Sequence, residues 1–228
     1  TDAQTAVATL AVSAAGQAVT VTEANGFSVG DVDGIQGVAG QNIALTATTG
    51  NLTVTNGAAA ADINASGTVA LTAAADNALL TLAASANVTG TSGAHTYTAD
   101  KMDLAGTVTA TGQTVTLKSA TAGDTIDLGS AVDNTSNTVL ELSSTELGTI
   151  TATTLRVGAA GAGAITISAD VTPTNVTNLH LITGGGVTGT AGGIAGDKNL
   201  AIEAGGTVNI TDAQTAVATL AVSAAGQA

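Results

Sequence analysis

The chain has 228 residues, 44% of them apolar but only 1% aromatic, with no Cys and with 17 carboxylates against 4 Lys and Arg. The formal net charge of -13 excludes the basic surface on which nucleic-acid binding rests and opposes docking on an anionic membrane. Lack of Cys removes disulfides, thiolate chemistry and Cys-ligated zinc, and no apolar run reaches the ~18 residues of a spanning helix.

Thr1 to Ala18 reads TDAQTAVATLAVSAAGQA, and Thr211 to Ala228 repeats it without a change. An identity of 18 residues at an offset of 210 marks a tandem repeat. Residues 1–210 are expected to be one repeat unit and residues 211–228 the start of the next, drawn from a longer array. The second copy is expected to resume the same layers of strand as the first.

Between these copies the chain runs in short bursts of period-2 alternation. Val19-Thr20-Val21, Ile43-Ala44-Leu45, Leu52-Thr53-Val54, Val69-Ala70-Leu71 and Val115-Thr116-Leu117 come first. Ile126-Asp127-Leu128, Leu155-Arg156-Val157, Ile165-Thr166-Ile167, Leu179-His180-Leu181, Leu200-Ala201-Ile202 and Val208-Asn209-Ile210 follow. Each sets two branched apolar residues on one side and one residue on the other. The bursts come in pairs separated by Gly-, Asn- and Ala-rich corners. No 3.6-residue stripe predicts a helix, and Asp76 to Thr107 and Asp133 to Glu146 fit the pattern least well.

Paired short strands joined by corners, at spacings of 20 residues (Leu200 to Leu220) to 26 (Ile43 to Val69), predict an all-β parallel β-helix, or β-solenoid. Roughly 9 to 10 coils fit one repeat, on the order of 45 Å at the strand spacing of ≈ 4.8 Å. Inward Val, Leu and Ile each contribute ~1.5–3 kcal/mol when buried. Ordering costs ~1–2 kcal/mol per residue, so coils stand only by sharing burial with neighbours.

The segment from Leu147 to Ile210, with its bursts at 155–157, 165–167, 179–181, 200–202 and 208–210 among Gly-rich corners, resembles the repeat regions of filamentous-haemagglutinin-type adhesins. The resemblance implies a right-handed parallel β-helix, a rigid shaft, an extracellular or bacterial cell-surface location, and a role in adhesion or biofilm building. It implies no catalytic residues.

Several residues are candidates for chemistry. Asp31 and Asp33, between Gly30 and Gly34 in GDVDG, could touch Ca²⁺, but the bidentate Glu of an EF-hand loop is replaced by Asn42. A turn is the simpler reading. Asp124 and Asp127 could form an acid pair, yet Asp127 sits between inward apolar residues, and both are read as solvated. His95 and His180 lack metal-site spacing and are read as exposed. Thr-x-Thr triplets such as Thr20-Val21-Thr22, Thr46-Ala47-Thr48 and Thr114-Val115-Thr116 put hydroxyls outward. Their intervals look too irregular for one aligned, ice-binding ladder. Gly184-Gly185-Gly186 and Gly192-Gly193 match no phosphate loop and fit corners, and Pro173 fits a loop.

The expected function is structural: the shaft of a giant repetitive surface adhesin, without enzyme activity or an obligate cofactor. The expected partners are identical repeats stacked end to end, and other fibres bridged by divalent cations; nucleic acid and membrane insertion are not expected. The alternatives are a filament of separate head-to-tail subunits, a carbohydrate-active β-helix enzyme, and a membrane β-barrel, which needs longer strands and aromatic girdles. Terminal coils with bare edges predict fraying or end-to-end association.

Overall fold

The computed structural model describes residues 6–132 and 134–225. Its first turn runs through β1 (Thr9–Leu10), β2 (Val12–Ser13) and β3 (Val19–Glu23). The second contains β4 (Phe27–Val29), an excursion of β5 (Asp31–Val32) and β6 (Ile35–Gln36), then β7 (Val38–Gly40) and β8 (Ile43–Ala47). The third holds β9 (Leu52–Val54), β10 (Ile63–Ala65) and β11 (Val69–Ala73), and the fourth β12 (Leu79–Leu82), β13 (Asn87–Gly90) and β14 (His95–Thr98). In the fifth, β15 (Lys101–Leu104) leads into β16 (Thr107–Lys118), one strand that fills two positions. The rest is β17 (Thr125–Leu128), β18 (Val139–Leu142), helix α1 (Ser144–Gly148), β19 (Ile150–Ala159), β20 (Ile165–Ile167), β21 (Val176–Thr183), β22 (Val187–Gly189), β23 (Lys198–Ala204), β24 (Val208–Ile210) and β25 (Val217–Ala224).

Apart from the antiparallel β5–β6 hairpin, the strands pair in parallel with their counterparts one turn away. Three stacks result. The first is β1-β4-β9-β12-β15; the second is β2-β7-β10-β13-β16; the third runs β3-β8-β11-β14-β16-β19-β21-β23-β25. The protein is a β-solenoid of about nine turns, as the alternation predicts. Every burst named above lies in a strand.

The interior is built of columns, one residue per turn. In the third stack Val19, Ile43, Val69, His95 and Val115 lie over one another, and so do Val21, Leu45, Leu71, Tyr97 and Leu117. All but Val21 are buried. Aliphatic columns of this kind remove apolar area from water at roughly 25 cal/mol per Å² without the aromatic volume the sequence lacks.

The stack has one break in chain order. Beyond β15 the first stack is continued by a second sheet ordered β18-β17-β20-β22-β24. β18 therefore lies next to β15, although β17 comes first in the chain. Helix α1 closes this break. Its Ser143 N-cap and Glu146 form a capping box. The buried Glu146 carboxylate also accepts the Leu104 backbone N–H at 3.1 Å, which satisfies a donor that strand pairing leaves free.

The two copies of the repeated segment do not take the same form, contrary to the expectation from sequence. In the first copy, Leu10 lies in β1 beside Val29, and Val12 lies in β2 beside Val38, on different stacks. In the second copy, the equivalents Leu220 and Val222 belong to one strand, β25, opposite Leu200 and Ile202 in the third stack. The difference lies in the strands they pair with: β4 and β7 bend the first copy around a corner, whereas the long β23 holds the second one straight.

Candidate functional site

Asp31 and Asp33 lie on the excursion. Val32 pairs with Ile35, and Asp33 (φ 47°) and Gly34 (φ 81°) form the two-residue turn between them. Positive φ at both positions is what a tight hairpin of this hand requires, and Asp-Gly supplies it. Asp31 accepts the Ala58 N–H at 2.8 Å. Asp33 thus serves the turn through its backbone, and the Asp31 side chain serves the adjoining loop. Among the described residues, no three His, Cys, Asp or Glu side chains gather closely enough to hold a metal ion.

Asp124 departs from the solvated reading. It is 7% exposed and its Oδ2 has no hydrogen-bond partner. Burial, together with the Asp100 and Asp76 carboxylates, pushes its carboxyl above the ordinary range. Buried Asp100 is well satisfied instead, by the Thr121 N–H and hydroxyl, both at 2.7 Å, and the Asn77 N–H at 3.1 Å. Asp127 does point outward from β17, half-buried, opposite Glu141 and Thr166.

His95 is also a correction: it is fully buried, not exposed. Its Nδ1 lies 3.1 Å from the Tyr97 hydroxyl, while Nε2 has no partner. Burial lowers its pKa to about 4, so the ring is neutral at pH 7. His95-Thr96-Tyr97 occupies the register of Val69-Ala70-Leu71, and that register places both rings inside. His180, by contrast, points outward, although it is half-buried and not exposed as expected. Its Nε2 lies 3.2 Å from Glu203 Oε1, and its side chain retains 16% exposure.

On the outer face the threonines do align. Thr22, Thr46, Thr72 and Thr98 form one column despite unequal sequence intervals, because the corners absorb the extra residues. The neighbouring column is mixed: Thr20, Ala44, Ala70, Thr96, Thr116, Arg156, His180, Ala201 and Ala221. A double threonine face is therefore not formed.

That mixed column bounds a hollow of about 350 Å³. Arg156 and His180, in register on β19 and β21, both line it. The small Ala201 and Ala221 side chains leave the space beside them. Along its flank runs a polar ladder: the Asn178 amide donates to Thr154 Oγ1 at 3.1 Å, and the Asn199 amide donates to Asn178 Oδ1 at 2.9 Å. Arg156 Nε is buried with no acceptor, and among the described residues no carboxylate pairs with Arg156. Sequence reading treated Leu155-Arg156-Val157 and Leu179-His180-Leu181 separately. Aligning the two bursts on their middle residues would have placed Arg156 and His180 side by side.

The carboxyl end of the stack carries a second, apolar concavity of about 300 Å³, lined by Leu200, Ile202, Val208, Ile210, Leu220 and Val222 among others. Leu220 is 57% exposed and Val222 48%. These features define a β-solenoid whose apolar columns are uncovered at its last described turn. No protein-family model, curated protein or solved structure matches the chain.

Proposed function

We propose that the chain is a load-bearing segment of an extracellular fibre, the shaft of a large repetitive surface adhesin that supports cell adhesion or a biofilm matrix. The observation that carries this reading is the open end. The apolar columns stop at Leu220 and Val222 without a covering element among the described residues, and the segment that bears them also begins the chain. A further repeat stacked there would bury that surface and prolong the parallel ladders. Charge is consistent with a dispersed fibre: the net charge of -13 lies along a rod of roughly 45 Å, so charges fall within the ~8 Å Debye length. Divalent cations would then bundle neighbouring fibres, and calcium should raise light scattering; an unchanged signal counts against bundling.

The deciding experiment is electron microscopy of chains with one, two and four tandem 210-residue units. The rod reading expects particles that lengthen linearly, by about 45 Å per unit. Compact or beaded particles would sink it. The junction is its most exposed point, because a segment with neighbours on both sides must adopt one conformation where the single chain has two. A second reading, separate subunits stacked head to tail, is favoured by the same exposed end. The mass of the denatured native fibre distinguishes the two.

A further inference from the structure

We infer that the hollow beside Arg156 and His180 is a binding site for a carboxylate-bearing saccharide of the uronic-acid type. Arg156 is the one guanidinium of the chain, and it lines the hollow with no carboxylate paired to it among the described residues. Its buried Nε retains an unmet donor, a state that folding disfavours. A planar carboxylate satisfies the guanidinium fork directly. His180, one turn away, adds an imidazole to the lining, while Glu203 on the next strand over lies 3.2 Å from its Nε2. Glu203 is exposed, at 61% of its side-chain area, so it can swing aside from the hollow.

The remainder of the hollow favours a hydroxylated body over a bare anion. Asn178 and Asn199 each spend one amide hydrogen on the ladder and keep a second hydrogen and free lone pairs. These donor and acceptor pairs recur at the strand spacing of about 4.8 Å, so successive hydroxyls of an extended chain can meet them. The Ala201 and Ala221 methyl groups offer a small flat floor for the apolar face of a ring. The site lies on the side of the stack, and because Thr219 and Ala221 belong to the segment whose form a following repeat would change, its test uses the single 228-residue chain.

Isothermal titration of the full chain at low salt tests it with three probes: a uronic-acid trisaccharide, the neutral trisaccharide of the same hexose, and sodium sulfate. The expected result is saturable binding of the acidic trisaccharide, at least tenfold weaker binding of the neutral one, and no competition by sulfate at equal concentration. Arg156→Gln should weaken binding at least tenfold. Ala201→Leu, which fills the floor and leaves every charge in place, should weaken it comparably. Unchanged circular dichroism and particle length show that both variants fold. Absence of binding, equal affinity for the neutral sugar, equal competition by sulfate, or indifference to Ala201→Leu would each overturn the assignment.

Discussion

A small column at the corner between the second and third stacks sets the most specific expectation. Gly40, Ala65 and Gly90 are in register there. An alanine Cβ at position 90 would stand 2.0 Å from His95 Nε2 and 2.9 Å from its Cε1. The ring is fully buried and cannot swing out. One turn earlier the equivalent pair is Ala65 and Val69, which coexist, so the imidazole and not the backbone forbids a methyl group. Gly90→Ala should therefore destabilise by about 1–3 kcal/mol, the usual cost of overpacking. In a His95→Val background the corner takes the Ala65–Val69 combination, and the same glycine change should cost less than about 0.5 kcal/mol. The coupling between the two positions is then on the order of 1–3 kcal/mol. Urea midpoints for the four proteins at pH 7, with constant slopes, measure it. An equal penalty for Gly90→Ala in both backgrounds would refute the reasoning.

Three further outcomes follow from the buried polar groups. Because the fold lowers the His95 pKa from 6.5 to about 4, the unfolded chain binds the proton first; stability should fall as pH drops from about 6.5 to 4, by on the order of 3 kcal/mol. His95→Val should flatten that part of the profile, as read by melting temperature against pH. Asp124 is shifted the other way, so the folded chain binds its proton more readily than the unfolded one and stability is lost as pH rises through its raised pKa. Asp124→Asn should raise the melting temperature at pH 7, and the gain should shrink as pH falls through the carboxylate range. Glu146→Ala strips acceptors from the buried Leu104 N–H and the half-buried Ser143 N–H and should cost about 1–3 kcal/mol for the unmet buried donor; hydrogen exchange at Leu104 should accelerate with it.

The strand columns were legible because alternation is local: Val69-Ala70-Leu71 declares its inward side without reference to any neighbour. His95-Thr96-Tyr97 carries the same alternation, but a polar ring at an inward position reads as surface until register with Val69 is known. Helix α1 had a local signal, Ser143 with Glu146 three residues on, yet it is too short to leave a periodic stripe. The Asp100–Asp124 proximity, the aligned threonines and the Arg156 hollow depend on which residues stack across turns. Loops of unequal length set that stacking, and composition does not encode it. The unlike fates of the repeated segment lie further out of reach, since identical sequences differ there only in their neighbours.

The reversed order of β17 and β18 bears on how the molecule can be made. The surface that β15 presents is met by residues 139–142, after the whole of β17 has been synthesised. A nascent chain emerging amino end first can therefore zip up turn upon turn only as far as Leu104. There one face of the growing column must wait, unfinished, while its opposite face proceeds through β16. Chain order thus puts completion of that face after residue 142, and Glu146, from beyond the break, supplies the acceptor for the Leu104 N–H.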